Sequence, residues 1–140
     1  MSLAMSKPLE PLLAGLVHEA RDCWKPGEEG GVPSENEVMS RLRVAKRRLS
    51  FIAALADLAR IFTARDTTRW LSDMADASLS AAIDHLLLAA HESGKLKLKN
   101  VAAPSDGSGL IVLGMGKLGA RELNYSSDID AVVFLSLIHI

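Results

Sequence analysis

Two aspartates near the end of the chain, Asp128 and Asp130, have the residue type and spacing of a metal site. Only Ile129 separates them, so on an extended strand both carboxylates would point to the same face. Two carboxylates this close repel each other unless a cation lies between them. Oxygen ligands suit Mg²⁺, which usually takes one or two carboxylates together with phosphate oxygens. The pair therefore predicts a site where a metal ion and a phosphate compound meet.

A glycine-rich stretch precedes the aspartates, with Gly114, Gly116 and Gly119 in G-x-G-x-x-G spacing after the apolar run LIVLG. This spacing is typical of the phosphate loop of a dinucleotide-binding domain, where a helix crosses over to a parallel strand. Only residues 120–127 separate Gly119 from Asp128, whereas such a crossover takes about a dozen residues or more. A dinucleotide-binding module is therefore an alternative that the interval disfavours.

The short interval favours an antiparallel hairpin, in which LIVLG pairs with the run DIDAVVFL. The glycines would then face the aspartates and let the backbone approach a phosphate chain, while Lys117 supplies positive charge. A metal clamp with charge neutralisation is what phosphoryl or nucleotidyl transfer needs. The predicted site contains Asp128 and Asp130 as metal-binding and catalytic residues, with Gly114, Gly116 and Lys117 on the phosphates.

The upstream residues predict a helical scaffold for this site. Residues 9–24 form a short amphipathic helix, which ends at the loop 25–33 with its three glycines and two prolines. Ser34 and Glu37 have the spacing of a capping box. Behind them, apolar residues recur at three- and four-residue steps, which predicts a helix to about Phe62.

A further long helix is predicted after this point. Asp66 and Thr67 are suitable N-cap residues, apolar residues continue to Ala90, and Gly94 has the position of a glycine just past a helix end. Two long helices with a connection of about four residues pack as an antiparallel hairpin. Residues 95–100, KLKLKN, are either a short strand or an extended linker.

Helices followed by strands predict an α+β fold that is mostly α. The expected units are an N-terminal helix and loop (1–33), a helical segment (34–104) and the start of a catalytic core (105–140). Both apolar runs are expected to be buried strands. The chain ends inside the run AVVFLSLIHI without a turn or polar tail, which predicts a fragment of a longer protein with a few foreign residues at its end.

The composition restricts the expected partners. Sixteen basic and 17 acidic residues give a net charge of -1, so nucleic acid and anionic membranes are not expected. No stretch reaches the ~18 apolar residues of a membrane span, and no signal peptide is recognised. The single Cys23 allows no internal disulfide, which favours a cytoplasmic protein. A helical protein-interaction domain at residues 34–93 is the remaining alternative.

The stretch GMGKLGARELNYSSDID resembles the signature of the bacterial glutamine synthetase adenylyltransferases, whose catalytic domains belong to the DNA polymerase β-like nucleotidyltransferases. The pattern of that superfamily is an apolar residue, a glycine and a small residue, followed at a distance by Asp-apolar-Asp. Here Met115, Gly116 and Lys117 precede residues 118–127 and the aspartates. Lys117 replaces the usual small residue, as it does in this family.

The family carries two such domains, and the version ELNYSSDID resembles the N-terminal copy, which removes AMP from glutamine synthetase by phosphorolysis. The resemblance implies a metal-dependent enzyme that transfers AMP to a glutamine synthetase tyrosine and removes it, in the regulation of nitrogen assimilation. It implies Mg²⁺ as cofactor, with ATP, ADP and phosphate as substrates. Glutamine synthetase and a PII-type signalling protein are the partners that it implies.

The resemblance also implies roles for individual residues. Asp128 and Asp130 would bind Mg²⁺. Ser126 and Ser127 would shape the loop that leads into the metal site, where a hydroxyl could reach phosphate. Asn124 would be structural.

Some residues depart from the family pattern. The superfamily has a third carboxylate on a later strand, and no acid follows Asp130 here. Ala131 stands where the family usually has a bulkier apolar residue, and LSLIHI does not resemble the usual continuation. We therefore expect the 140-residue chain to be inactive alone, although its parent is an enzyme.

Overall fold

The computed structural model describes residues 8–27 and 30–136, so the prediction about the last residues of LSLIHI lies outside the described part. Most of that part is helical, with one pair of strands, which confirms the mostly α, α+β prediction. The elements are α1 (Glu10–Asp22), α2 (Glu35–Leu58), α3 (Ala64–Glu92), β1 (Leu110–Gly114), α4 (Gly116–Gly119) and β2 (Ala131–Leu135).

Helix α2 begins where the sequence predicts. The Ser34 hydroxyl accepts from the Glu37 N–H at 3.3 Å, and the Glu37 carboxylate accepts from the Ser34 N–H at 2.7 Å. This reciprocal pair confirms the capping box. It satisfies two N–H groups that would otherwise have no partner in the first turn.

The predicted start of α3 is wrong by about one turn. Its N-cap is Thr63, whose hydroxyl accepts from the Asp66 N–H at 3.2 Å, while the Asp66 carboxylate accepts from the Thr63 N–H at 2.9 Å. Asp66 is thus the third helical residue and not the cap. The physical reason is that Thr63 and Asp66 together complete a capping box, which satisfies more N–H groups than a single cap.

Helix α2 ends at Leu58, before the predicted Phe62, because Arg60 takes a left-handed conformation with φ of +56°. The N–H of Ile61 then bonds to the carbonyl of Ala56 at 2.8 Å, as in a Schellman motif. Glycine usually fills this position and marks the end in the sequence. Gly94 does so after α3, with φ of +74°, which confirms that prediction.

The helices α2 and α3 form the predicted antiparallel hairpin. Val38, near the start of α2, packs in one cluster with Ala81 and Leu88 of the later half of α3. Ala56, near the end of α2, packs with Trp70 near the start of α3. Helix α1 contacts both and closes the main core, whose largest buried members include Leu13, Leu49 and Met74.

The chain between α3 and β1 forms turns and extended segments. Residues 95–100 contain no strand, so of the two alternatives for KLKLKN the extended linker is correct. The carboxylate of Asp84 on α3 accepts from the N–H of Ser105 at 2.9 Å and ties this connection to the helices. No helix within the described ranges combines the length and apolar character that crossing a membrane requires.

The two strands are antiparallel, with Leu110 opposite Leu135 and Gly114 opposite Ala131. This confirms the hairpin and excludes the dinucleotide-binding alternative, which needs parallel strands. The prediction that both strands are buried is wrong for the described residues. Every residue of β2 is exposed, and β1 is at most half-buried, because the three long helices pack mainly against one another and leave the strand pair uncovered.

The expected units are not fully separate in space. Leu118 and Leu123, from the predicted catalytic segment, are buried in the same core as the helices. The boundaries at residues 33 and 104 therefore remain a prediction about the order of segments along the chain.

The capping box of α3 gives a pH-dependent prediction. The Thr63 hydroxyl and then the Thr63 N–H, both donating to the Asp66 carboxylate, hold the pKa of that carboxyl below its ordinary value of 3.8. A lowered pKa in the folded state stabilises the protein above the ordinary value, and the effect is lost as the pH falls through the lowered one. Thr63→Ala should therefore lower the free energy of unfolding by about 1 kcal/mol at pH 7, and by less below pH 3.8.

Urea unfolding at several pH values measures this difference. Thr68→Ala is the control, because the Thr68 hydroxyl donates to the Arg65 carbonyl within the helix at 3.2 Å and caps nothing. Its effect should not depend on pH between 3 and 7. An equal loss at every pH for Thr63→Ala would contradict the assigned role of Asp66.

Candidate functional site

The turn after β1 brings the glycine segment against one of the two aspartates. Gly116 has φ of +52°, and a Cβ atom built on it would lie 3.1 Å from Oδ2 of Asp130. The N–H of Met115 donates to the carbonyl of Asp130 at 2.8 Å. Asp128 is exposed and lies in the segment that leads into β2. The phosphate-loop candidate and the metal-ligand candidate thus meet at Gly116 and Asp130.

Gly114 and Gly119 have a packing role that does not require a phosphate. A Cβ on Gly119 would lie 2.5 Å from the carbonyl oxygen of Gly114, and one on Gly114 would lie 3.0 Å from Cγ of Leu118. The glycines let the short helix α4 fold back onto the end of β1. Contact of Gly114 with phosphate stays a prediction.

Lys117 is the exposed cation next to this contact. It lies in the first turn of α4, between Gly116 and the buried Leu118. It forms no salt bridge with any residue in the described ranges. Its ammonium group is therefore not neutralised by these residues and remains available to an anion.

The loop before the aspartates is held by Asn124 and Ser127. The Ser127 hydroxyl donates to Oδ1 of Asn124 at 2.8 Å and accepts from the Asn124 N–H at 3.1 Å. The N–H of Ser126 donates to the same Oδ1 at 3.0 Å. These bonds fix the loop by local side-chain to backbone contacts. A hydroxyl that reaches phosphate stays a prediction, and the hydroxyl of Ser127 already bonds to two groups of Asn124.

The site is anchored to α3 by contacts that sequence reasoning missed. The N–H of Leu123 donates to the buried hydroxyl of Ser72 at 3.2 Å, and that hydroxyl donates to the Thr68 carbonyl at 2.8 Å. Arg121 forms a salt bridge with Asp73. One signal for this anchor was present in the sequence: Ser72 is a polar residue between the apolar Leu71 and Met74. A hydroxyl that is buried there needs a hydrogen-bond partner from elsewhere in the fold.

Tyr125 is a second contact between the loop and the helices that the sequence did not reveal. Its ring is 43% exposed and lies beside the loop residues and α3. Burial, and then the negative charge of Asp57 at the end of α2, raise the pKa of the Tyr125 phenol. The phenol therefore stays protonated at neutral pH.

The donor set fits a metal only in part. No cluster of three His, Cys, Asp or Glu side chains that could hold an ion occurs within the described ranges. Two carboxylates suit Mg²⁺ when phosphate oxygens and waters complete its six ligands. The position of Asp130 next to Gly116 agrees with this arrangement. Because glycine has no side chain, it leaves space beside the carboxylate for a phosphate group.

Comparisons with known proteins bear on the same residues. The model of the family "Glutamate-ammonia ligase adenylyltransferase" matches residues 27–137. A bifunctional glutamine synthetase adenylyltransferase/adenylyl-removing enzyme of Agrobacterium fabrum is 87% identical over 134 residues, which is 96% of this chain and 14% of that protein. Proteins with the same name from Rhizobium meliloti and Brucella suis are 58% and 51% identical, over 93% and 78% of this chain and 13% and 11% of theirs.

No solved structure matches the chain. The chain spans about one seventh (14%) of the length of the Agrobacterium relative. The matched region contains the glycine segment and both aspartates.

Proposed function

This chain belongs to the glutamate-ammonia ligase adenylyltransferase family, and we propose that it supplies part of the site that removes AMP from glutamine synthetase. The observation that carries the proposal is that Oδ2 of Asp130 lies next to Gly116, 3.1 Å from where a Cβ atom would be. It places a glycine backbone of the kind that binds phosphate beside a carboxylate of the kind that binds Mg²⁺. A PII-type partner and a cytoplasmic location belong to the same proposal.

The proposed reaction is phosphorolysis of a tyrosyl-AMP bond. An oxygen of inorganic phosphate forms a bond to the AMP phosphorus, the bond from that phosphorus to the tyrosine oxygen breaks, and the tyrosine oxygen takes up a proton. The products are ADP and the unmodified tyrosine side chain of glutamine synthetase. Attachment of AMP is a separate reaction, in which the tyrosine oxygen bonds to the α-phosphorus of ATP and pyrophosphate leaves. A bound Mg²⁺ would neutralise charge on the transferred group and align the attacking oxygen.

The residues of the chain have distinct tasks in this scheme. Asp128 and Asp130 would hold the ion, and Gly116 would give the phosphate access to it. Lys117 has no ionic partner among the described residues and offsets phosphate charge. We expect the 140-residue chain alone to be inactive, since the described residues bring no third carboxylate to the pair.

A chimera tests the proposal. The 134 aligned residues of the Agrobacterium fabrum relative are replaced by those of this chain. The purified chimera should remove AMP from adenylylated glutamine synthetase, in a Mg²⁺-dependent reaction, within about threefold of the unmodified relative, because most substitutions away from a site change free energies by about 0.5 kcal/mol or less. A folded chimera that retains adenylylation but removes no AMP would contradict the proposal.

A helical interaction domain is the second candidate, favoured by an exposed apolar stripe on α2. Val44, Phe51, Leu55 and Leu58 recur at helical spacing and are 41%, 65%, 51% and 82% exposed. Such a stripe is typical of a surface that another protein covers. The two functions are separable, because substitution of the stripe should leave the chemistry at Asp130 unchanged.

A further inference from the structure

A pocket lies behind the aspartates, between the helical hairpin and the site loop. It has a volume of about 120 Å³ and lies between α2, α3 and residues 123–129. A cavity of roughly 150 Å³ accepts a benzene ring, so this one, which also opens to solvent, suits a single ring or a branched aliphatic group. Its apolar lining includes Leu71, Met74, Leu123, Tyr125 and Ile129.

The pocket and the metal-binding candidates lie on different sides of one segment. Ile129 lines the pocket, whereas Oδ2 of the next residue, Asp130, lies at Gly116. Neither aspartate lines the pocket. A ligand there would contact the segment that carries the carboxylates without touching them.

The polar lining indicates the charge of the ligand. The Ser78 hydroxyl donates to the Met74 carbonyl at 2.7 Å, and the Ser127 hydroxyl is bonded to Asn124. Lys46 of α2 lines the pocket and forms no salt bridge within residues 8–27 and 30–136. An apolar pocket with one cationic residue in its lining suits a ligand with an apolar body and one negative group.

We propose that this pocket binds a small carboxylate that carries one ring or one branched aliphatic group. The apolar group lies between Met74 and Ile129, and the carboxylate meets the Lys46 ammonium. Occupancy moves Ile129 and, through the backbone, the Asp130 carbonyl that accepts from Met115. An effect of this movement on AMP removal rests on the proposed function, whereas the binding itself does not.

Benzoate is the probe for the 140-residue chain, followed by NMR at the Ile129 methyl groups. We expect saturable shifts with a Kd of roughly 1 mM, as for other ligands of this size. Acetate, which has the charge without the ring, should give no saturable shift at the same concentrations. Benzyl alcohol, which has the ring without the charge, should bind more weakly. Absence of a saturable benzoate shift at Ile129 would overturn the proposal.

Lys46→Gln is expected to weaken benzoate binding about threefold, as for an exposed ion pair, and to leave benzyl alcohol binding unchanged. Arg43→Gln is the matched control, because Arg43 lies on the same helix, carries the same charge and does not line the pocket. Equal weakening by both variants would show a general charge effect and overturn the assignment of Lys46.

The link to the aspartates has its own readout. The amide of Met115, which donates to the Asp130 carbonyl at 2.8 Å, should shift with the same Kd as Ile129. A shift at Ile129 without one at Met115 would overturn the proposed link between the pocket and Asp130, but it would still support benzoate binding in the pocket. Failure of the proposed function would appear in the chimera as lost AMP removal, whereas benzoate binding to the isolated chain would be unaffected.

Discussion

Asp130→Asn in the chimera should lower the rate of AMP removal by about 1000-fold or more, which corresponds to about 4 kcal/mol of transition-state stabilisation. Asparagine keeps the size of the side chain but removes the negative charge that holds the ion. Oδ2 of Asp130 lies 3.1 Å from where a Cβ atom of Gly116 would be, which places the carboxylate beside the backbone that we propose to bind phosphate. The rate of AMP release from adenylylated glutamine synthetase at saturating Mg²⁺ measures the loss.

Two comparisons keep this result interpretable. Adenylylation, the second activity in the name of the bifunctional relative, should continue in the chimera, which shows that the protein is folded. Asp106→Asn makes the same chemical change in an exposed turn between α3 and β1 and should leave both activities unchanged. AMP removal within about tenfold of the parent, or about 1.4 kcal/mol, would exclude Asp130 as a ligand of an essential metal ion.

Gly119→Ala is expected to destabilise the β1–α4 turn by about 3 kcal/mol, near the upper end of the usual cost of overpacking. The added Cβ would lie 2.5 Å from the carbonyl oxygen of Gly114, and a backbone atom cannot rotate away as a flexible side chain can. Amide hydrogen exchange at Met115 measures the effect locally. Its protection should fall by about 100-fold, because each tenfold corresponds to about 1.4 kcal/mol.

Gly15→Ala is the matched control for this substitution. Gly15 lies within α1, and nothing is within 4 Å of the Cβ it would carry. Alanine there should raise the free energy of unfolding by about 0.5–1 kcal/mol, since glycine in a helix costs entropy. Unchanged exchange at Met115 in Gly119→Ala would mean that the turn relaxes without cost, and the packing role of Gly119 would be wrong.

Local signals in the sequence predicted the helices and the hairpin well. The Ser34–Glu37 box and Gly94 act within a few residues, so their effect can be read without the rest of the fold. The short interval of residues 120–127 distinguished a hairpin from a crossover, because it has too few residues for a connection between parallel strands. The C-terminal end of α2 and the start of α3 were misplaced, because Arg60 and Thr63 took roles that other residues fill more often.

The sequence could not predict how the site is held. The bond from Leu123 to Ser72 and the salt bridge from Arg121 to Asp73 join residues about 50 positions apart. Such pairs depend on how α3 packs against the loop, which no local pattern encodes. The exposure of β2 was missed for the same reason, because an apolar run indicates a strand but not what covers it.

The sequence by itself determined the family, the helical scaffold and the nearness of the glycine segment to Asp130. These follow from residue types and short intervals along the chain. Only the tertiary structure decided that Gly116 opens onto Asp130, that Gly114 and Gly119 serve packing, and that Ile129 lines a pocket on the other side. The physical reason is that side-chain direction and burial are set by contacts between distant segments, whereas capping, periodicity and loop length are set by neighbours in the chain.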